Sequence, residues 1–158
     1  MALSLLPGLG ITFQSIFVGG NLVTSALFVP ALRNTNIPPS NQIKLWEKMF
    51  IGGAKLMAPC AIFSAASYIY LGCNASNSFE QTSMFISAGF SFSVILFTTI
   101  VMRSNIRYIQ GLVGLSDEDL ESKDYGSAIN KWNKLSISRC LLLSLGLVNM
   151  LWYQYKSS

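Results

Sequence analysis

Trp132, Ser136 and Arg139 stand at i, i+4 and i+7, so a helix running through them presents all three on one face. There the guanidinium of Arg139 could hold a carboxylate, a phenolate or a carbonyl through its planar fork of donors. The same tryptophan and arginine could equally form an interfacial belt that anchors a helix among lipid headgroups. Spacing alone leaves both readings open. Other polar groups stand in apolar surroundings. Gln14, Asn21 and Ser25 share one helical face, Lys55 precedes Pro59 by four residues, and Asn149 lies deep in the last apolar stretch. A polar side chain in lipid is a functional candidate by default. Amides and hydroxyls also bond helices to one another, at ~0.6–2 kcal/mol each, and that is the expected role of Gln14 and Asn149. Lys55 stands near enough to a span end to snorkel into the headgroups.

The sequence contains no histidine. Histidine is the common metal ligand and the usual proton shuttle at neutral pH. Haem held by histidine, di-iron sites with Glu-x-x-His pairs and Ser-His-Asp triads are therefore excluded. The five acids between residues 117 and 124 have no calcium-loop spacing. Cys60, Cys73 and Cys140 fall at different depths, which argues against a disulfide.

The elements that position these groups can be read from where charge is missing. Of the 158 residues 51% are hydrophobic and 11% charged, against roughly 25% charged in soluble domains. No charge occurs in residues 1–32 or from Gln81 to Met102, and uncharged apolar runs of ~18 or more residues mark membrane-spanning helices. The chain reads as one all-α domain over residues 1–158, an integral membrane four-helix bundle. Its spans are expected at about 10–30, 49–71, 82–102 and 137–155, with a polar connector over 103–136. The first span is expected to be retained, because it lacks the basic start and short apolar core of a cleavable signal, and to begin after Pro7-Gly8.

Ten of the eleven Lys and Arg residues fall in the loop between spans one and two, the connector, or the adjoining span ends; Lys156 is the exception. Positive residues concentrate on the cytosolic side, so the large polar loops are expected there and both termini on the lumenal or external side. An endoplasmic reticulum or other endomembrane location is expected. Asn74-Ala75-Ser76 is a glycosylation sequon in the lysine-free loop. The net charge of +4 belongs with the lipid-facing flanks; no basic run exists to track the phosphates of a nucleic acid.

Several short patterns then occur in order along nearly the whole chain. They are Phe28-Val29-Pro30-Ala31-Leu32 closing the first span, and Trp46-x-x-Met-Phe-x-x-Gly53 followed by Pro59. Thr98-Thr99-Ile-Val-Met102-x-x-Asn105 comes next, and then Trp132-x-x-Leu135-x-x-x-Arg139. In these the sequence resembles the anthrone-oxygenase-like family of small four-span membrane proteins. The resemblance implies oxidation of an anthrone-type aromatic polyketide to a quinone by O2, with no metal or flavin cofactor.

By position the resemblance nominates Asn105 and Arg139 as donors to the developing oxyanion and Trp132 as a pocket wall. Thr99, Asn21 and Trp46 are further substrate-binding candidates. Where many family members carry histidine, four residues after the tryptophan, this sequence has Ser136, which cannot act as a base unaided. Lys55, or the substrate's own acidity, is left to manage the proton. The alternative is a non-enzymatic bundle that binds lipid or serves as an accessory subunit of a larger membrane protein.

Overall fold

The computed structural model describes residues 2–157, with side chains from Leu5 to Lys156. Helix α1 (Ala2–Val23) passes through a π-helical turn, Thr24–Phe28, into α2 (Val29–Asn34). Helix α3 spans Pro39–Cys73, and α4 (Ser78–Leu96) ends in a second π turn, Phe97–Val101. The connector folds into α5 (Arg103–Gln110) and the short α6 (Asp117–Glu121) before the last long helix, α7 (Tyr125–Ser157). No strand occurs among the described residues. Four stretches are long and apolar enough to cross a membrane: Leu5–Asn34, Pro39–Cys73, Ser78–Val101 and Tyr125–Lys156. The protein is an all-helical bundle of four candidate spans.

Two boundaries differ from expectation. The first helix begins at Ala2 and carries Pro7 inside it; a proline this close to a helix start removes only one backbone bond, to the carbonyl four residues earlier. The last helix begins at Tyr125, twelve residues before Ile137. Its polar first turns keep the helical period, with Ala128, Ile129, Trp132 and Ser136 buried while Lys131 and Lys134 face outward. At 1.5 Å per residue, α3 and α7 are each roughly 50 Å long, well beyond a hydrocarbon core of ~30 Å. Their polar ends project past it.

Helix α3 packs on α1 and α4, and α7 packs on α4 and α1, closing a ring. Buried amides and hydroxyls join its members. Gln14 Nε2 donates to the Leu143 carbonyl at 2.9 Å while its Oε1 accepts from Tyr68 at 2.8 Å, so one side chain ties α1 to both α7 and α3. Asn149 Nδ2 donates to Ser83 O at 2.8 Å and Ser87 Oγ at 2.9 Å, and Ser87 Oγ donates to Gly146 O at 3.0 Å. These are the interhelical bonds expected of amides in lipid. Gly146 makes the approach possible: a Cβ there would stand 2.7 Å from Gln14 Nε2 and 2.9 Å from Phe90 Cβ. All three cysteines are free thiols.

Candidate functional site: an intramembrane cavity walled by one cation

Between the helices lies a cavity of about 190 Å³. Most of its wall is apolar or small: Phe17 and Gly20 from α1, Phe50, Gly53 and Met57 from α3, and Val94 from α4. The polar contribution is Asn21, Thr24, Thr98, Thr99 and Arg139, with Trp132 beside them. Among the described residues no carboxylate lines it. Both π turns reach this wall, through Thr24 in one and Thr98 and Thr99 in the other. A π turn displaces the backbone ladder by one residue, and such turns recur at functional sites. Threonine hydroxyls cover carbonyls around the second one: Thr98 Oγ1 donates to Val94 O at 2.8 Å and Thr99 Oγ1 to Ile95 O at 2.9 Å.

Arg139 is placed by its own helix, α7, and held by neutral groups. Its Nη2 donates to Asn21 Oδ1 at 2.5 Å and to Ser136 Oγ at 3.4 Å, and its Nη1 donates to Thr98 Oγ1 at 3.1 Å. The guanidinium carbon stands 5.4 Å from the centre of the Phe17 ring, a cation–π distance. Its Nε is buried without a partner. Each of these groups keeps another hydrogen bond without the arginine. Asn21 Oδ1 also accepts from Ser136 Oγ at 3.0 Å, and Asn21 Nδ2 donates to Phe17 O at 2.9 Å. Thr98 keeps its bond to Val94 O. The cation thus has no acid partner at the wall, and its neighbours do not require it.

The residues nominated from sequence divide into two groups. Asn21, Thr99, Trp132 and Arg139 all line the cavity, and Ser136 stands directly behind, bonded to Asn21 and Arg139. The Trp132, Ser136 and Arg139 face is therefore a wall of the cavity, and not an exposed belt. Trp46, Asn105 and Lys55 do not line it. Trp46 is buried beneath the wall, stacked on Phe50 at 5.2 Å and edge-on to Trp132 at 5.6 Å. It positions two lining rings. Asn105 Nδ2 donates to the Ala128 carbonyl at 3.2 Å, fastening α5 to the start of α7, and its Oδ1 is buried without a partner.

Lys55 is exposed on α3, so its long stem carries the ammonium outward. The proton-accepting role assigned to it loses its geometric basis. Within the Thr98-Thr99 pair the hydroxyl that meets the arginine is not the one nominated. Thr98 holds Arg139, while Thr99 is exposed and bonds only its own helix. Phe17 and Met57 were missed. The only available signal was the four-residue offset of Phe17 from Asn21, which puts both on one face.

Fold and site together define a class: a four-span helical bundle enclosing an apolar cavity with an unpaired guanidinium in its wall. The sequence model of one family, described as anthrone oxygenase, matches residues 46–149. The chain belongs to the anthrone oxygenase family. No curated protein and no solved structure matches the chain. The matched segment includes Trp46, Asn105, Trp132, Ser136 and Arg139; Asn21, which binds Arg139, lies before it.

Proposed function

We propose that this protein oxidises an anthrone-type aromatic polyketide to the corresponding quinone with O2, without a metal or flavin, in the cavity walled by Arg139. The observation that carries the reading is the guanidinium itself: a charge in an apolar wall, bonded only to neutral groups that each keep another hydrogen bond without it. A half-buried cation without a counter-ion carries a desolvation cost, and an anionic ligand lowers that cost.

An anthrone supplies such an anion. Loss of a proton from the carbon between its two aromatic rings places negative charge on the carbonyl oxygen. A donor that reaches that oxygen stabilises the charge as it develops, a contribution of about 10²–10³ in rate per donor. The anion passes electrons to O2, and a carbon–oxygen bond forms to give a hydroperoxide at the same carbon. Loss of water then breaks the O–O bond and the remaining C–H bond, leaving the second carbonyl. One CH2 and one O2 become one C=O and one water. The lining offers no carboxylate or imidazole to accept the first proton. The guanidinium instead raises the substrate's acidity, and the proton leaves to water.

The cavity of about 190 Å³ is only modestly larger than the ~150 Å³ void that accepts one benzene ring. A three-ring substrate occupies it together with the recess that adjoins it at Phe50, Thr98 and Thr99. The test is quinone formation by the purified protein in lipid nanodiscs supplied with an anthrone and O2. A rate above empty nanodiscs is expected, and an unchanged rate overturns the assignment. The basic end of the bundle is placed in the cytosol of an endomembrane such as the endoplasmic reticulum, with both termini lumenal. The exposed Cys73 at the other end should then react with an impermeant maleimide only in opened microsomes; reaction in sealed ones reverses the orientation.

A further inference from the structure

A second recess, of about 350 Å³, opens at the basic end of the bundle. Phe50, Thr98 and Thr99 line both this recess and the cavity, so the two share a wall. The rest of its lining includes Arg103, Arg107 and Gln110 of α5 and no carboxylate. The two arginines are four residues apart, so their like charges lie on one helical face, an arrangement that is unfavourable unless something anionic lies between them. No acid among the described residues lines the recess, and three connector aspartates are engaged elsewhere. Asp117 accepts from the Ser40 backbone N–H at 2.7 Å, Asp119 accepts from Ser116 Oγ at 2.7 Å, and Asp124 caps Ser127 N at 3.1 Å. Beyond the shared wall Thr98 is bonded to Arg139. Three guanidinium groups therefore flank two adjoining spaces that share Phe50, Thr98 and Thr99, and no acid among the described residues lines either one.

We propose that Arg103 and Arg107 are specificity-determining residues that bind a carboxylate on the periphery of the substrate, while its flat ring system reaches past Phe50 and Thr98 into the cavity. The preferred substrate class is then a polycyclic aromatic acid, and the neutral ring system is a poorer ligand. The inference rests on the reading of the cavity as an aromatic-substrate site and adds what the recess selects. Both arginines are exposed, so each contributes as a partly solvated charge. Losing both weakens binding of an acid by about tenfold, and added salt weakens it as well.

The test is equilibrium binding in nanodiscs of phosphatidylcholine alone, read by quenching of tryptophan fluorescence. The probes are anthraquinone-2-carboxylate and the uncharged anthraquinone-2-carboxamide. The unaltered protein should favour the acid. The Arg103→Gln, Arg107→Gln double variant should lose that preference while its affinity for the amide and its thermal unfolding stay the same. Equal binding of the two probes, or a preference that survives the double substitution, overturns the proposal. In a second arm phosphatidylserine is added to the discs. Unchanged affinity for the acid is expected, and loss of the preference there assigns the recess to lipid headgroups instead. Turnover of anthrones with no preference for acids refutes this inference and leaves the oxygenase reading standing. An acid preference that depends on the two arginines, without turnover of any anthrone, does the reverse.

Discussion

Replacing Arg139 with methionine removes the cation from the cavity wall while keeping an unbranched side chain that fills much of the same space. Asn21 Oδ1 keeps the Ser136 hydroxyl at 3.0 Å, and Thr98 keeps its bond to Val94 O at 2.8 Å. Each group left behind therefore keeps a hydrogen bond. The substitution also removes a half-buried charge near the polar end of its span, and the desolvation cost removed with it offsets the lost hydrogen bonds. The net change in stability should lie within about 1 kcal/mol, a shift of ~2–4 °C in Tm for a chain of this size. Turnover should respond very differently. Removing one donor from a developing oxyanion costs ~10²–10³ in rate, or ~2.7–4 kcal/mol. The assay pairs initial rates of quinone formation with thermal unfolding of the same nanodisc preparations. A large fall in rate at constant Tm is expected. Parallel loss of both would make Arg139 a structural tether, and full activity in Arg139→Met would refute the role given to its charge.

Gly53 lines the cavity, and a Cβ built there meets nothing within 4 Å. Gly53→Phe should therefore project a ring into the site and raise KM, with thermal unfolding measured on the same preparation; an unchanged KM would show that substrate lies elsewhere. Gly146 has no such space, and Gly146→Ala should destabilise the α4–α7 contact by about 1–3 kcal/mol, seen as a lower unfolding midpoint in detergent. At the polar end, the Ser40 N–H and then the Ser40 side chain hold the Asp117 carboxyl below its ordinary value. A depressed acid stabilises the fold above its unfolded pKa and loses that contribution as pH falls through the folded one. Ser40 amide exchange should stay slow relative to its intrinsic rate through neutral and mildly acidic pH and lose protection only below the usual carboxylate range. Loss already near pH 6 would contradict the link.

The four spans were legible because lipid excludes charge, and the uncharged runs before Arg33 and from Gln81 to Met102 leave no alternative. The start of α7 was not, because Lys131 and Lys134 read as loop until Ala128, Ile129 and Trp132 are seen to keep the helical period between them. The wall formed by Asn21, Trp132 and Arg139 was half legible. Fixed spacing put Trp132 with Arg139, but the pairing of Arg139 with Asn21 joins positions 118 residues apart. Thr98 and Thr99 both lie inside the second π turn, and nothing in Phe97–Val101 announces that turn or shows that Thr98 is the one that meets the arginine. Motif position nominated Asn105 and Trp46, yet only the folded connector reveals that they support the site from outside it.

The central claim is that O2 is consumed on a substrate held against Arg139. Oxidation of an anthrone under ¹⁸O2, with mass spectrometry of the quinone, tests it most directly when the unaltered protein and Arg139→Met are run side by side in nanodiscs. The account predicts rapid appearance of quinone carrying one labelled oxygen with the unaltered protein, and only the slow spontaneous rate with the variant. Equal rates in the two, or fast quinone formation without label, would contradict it.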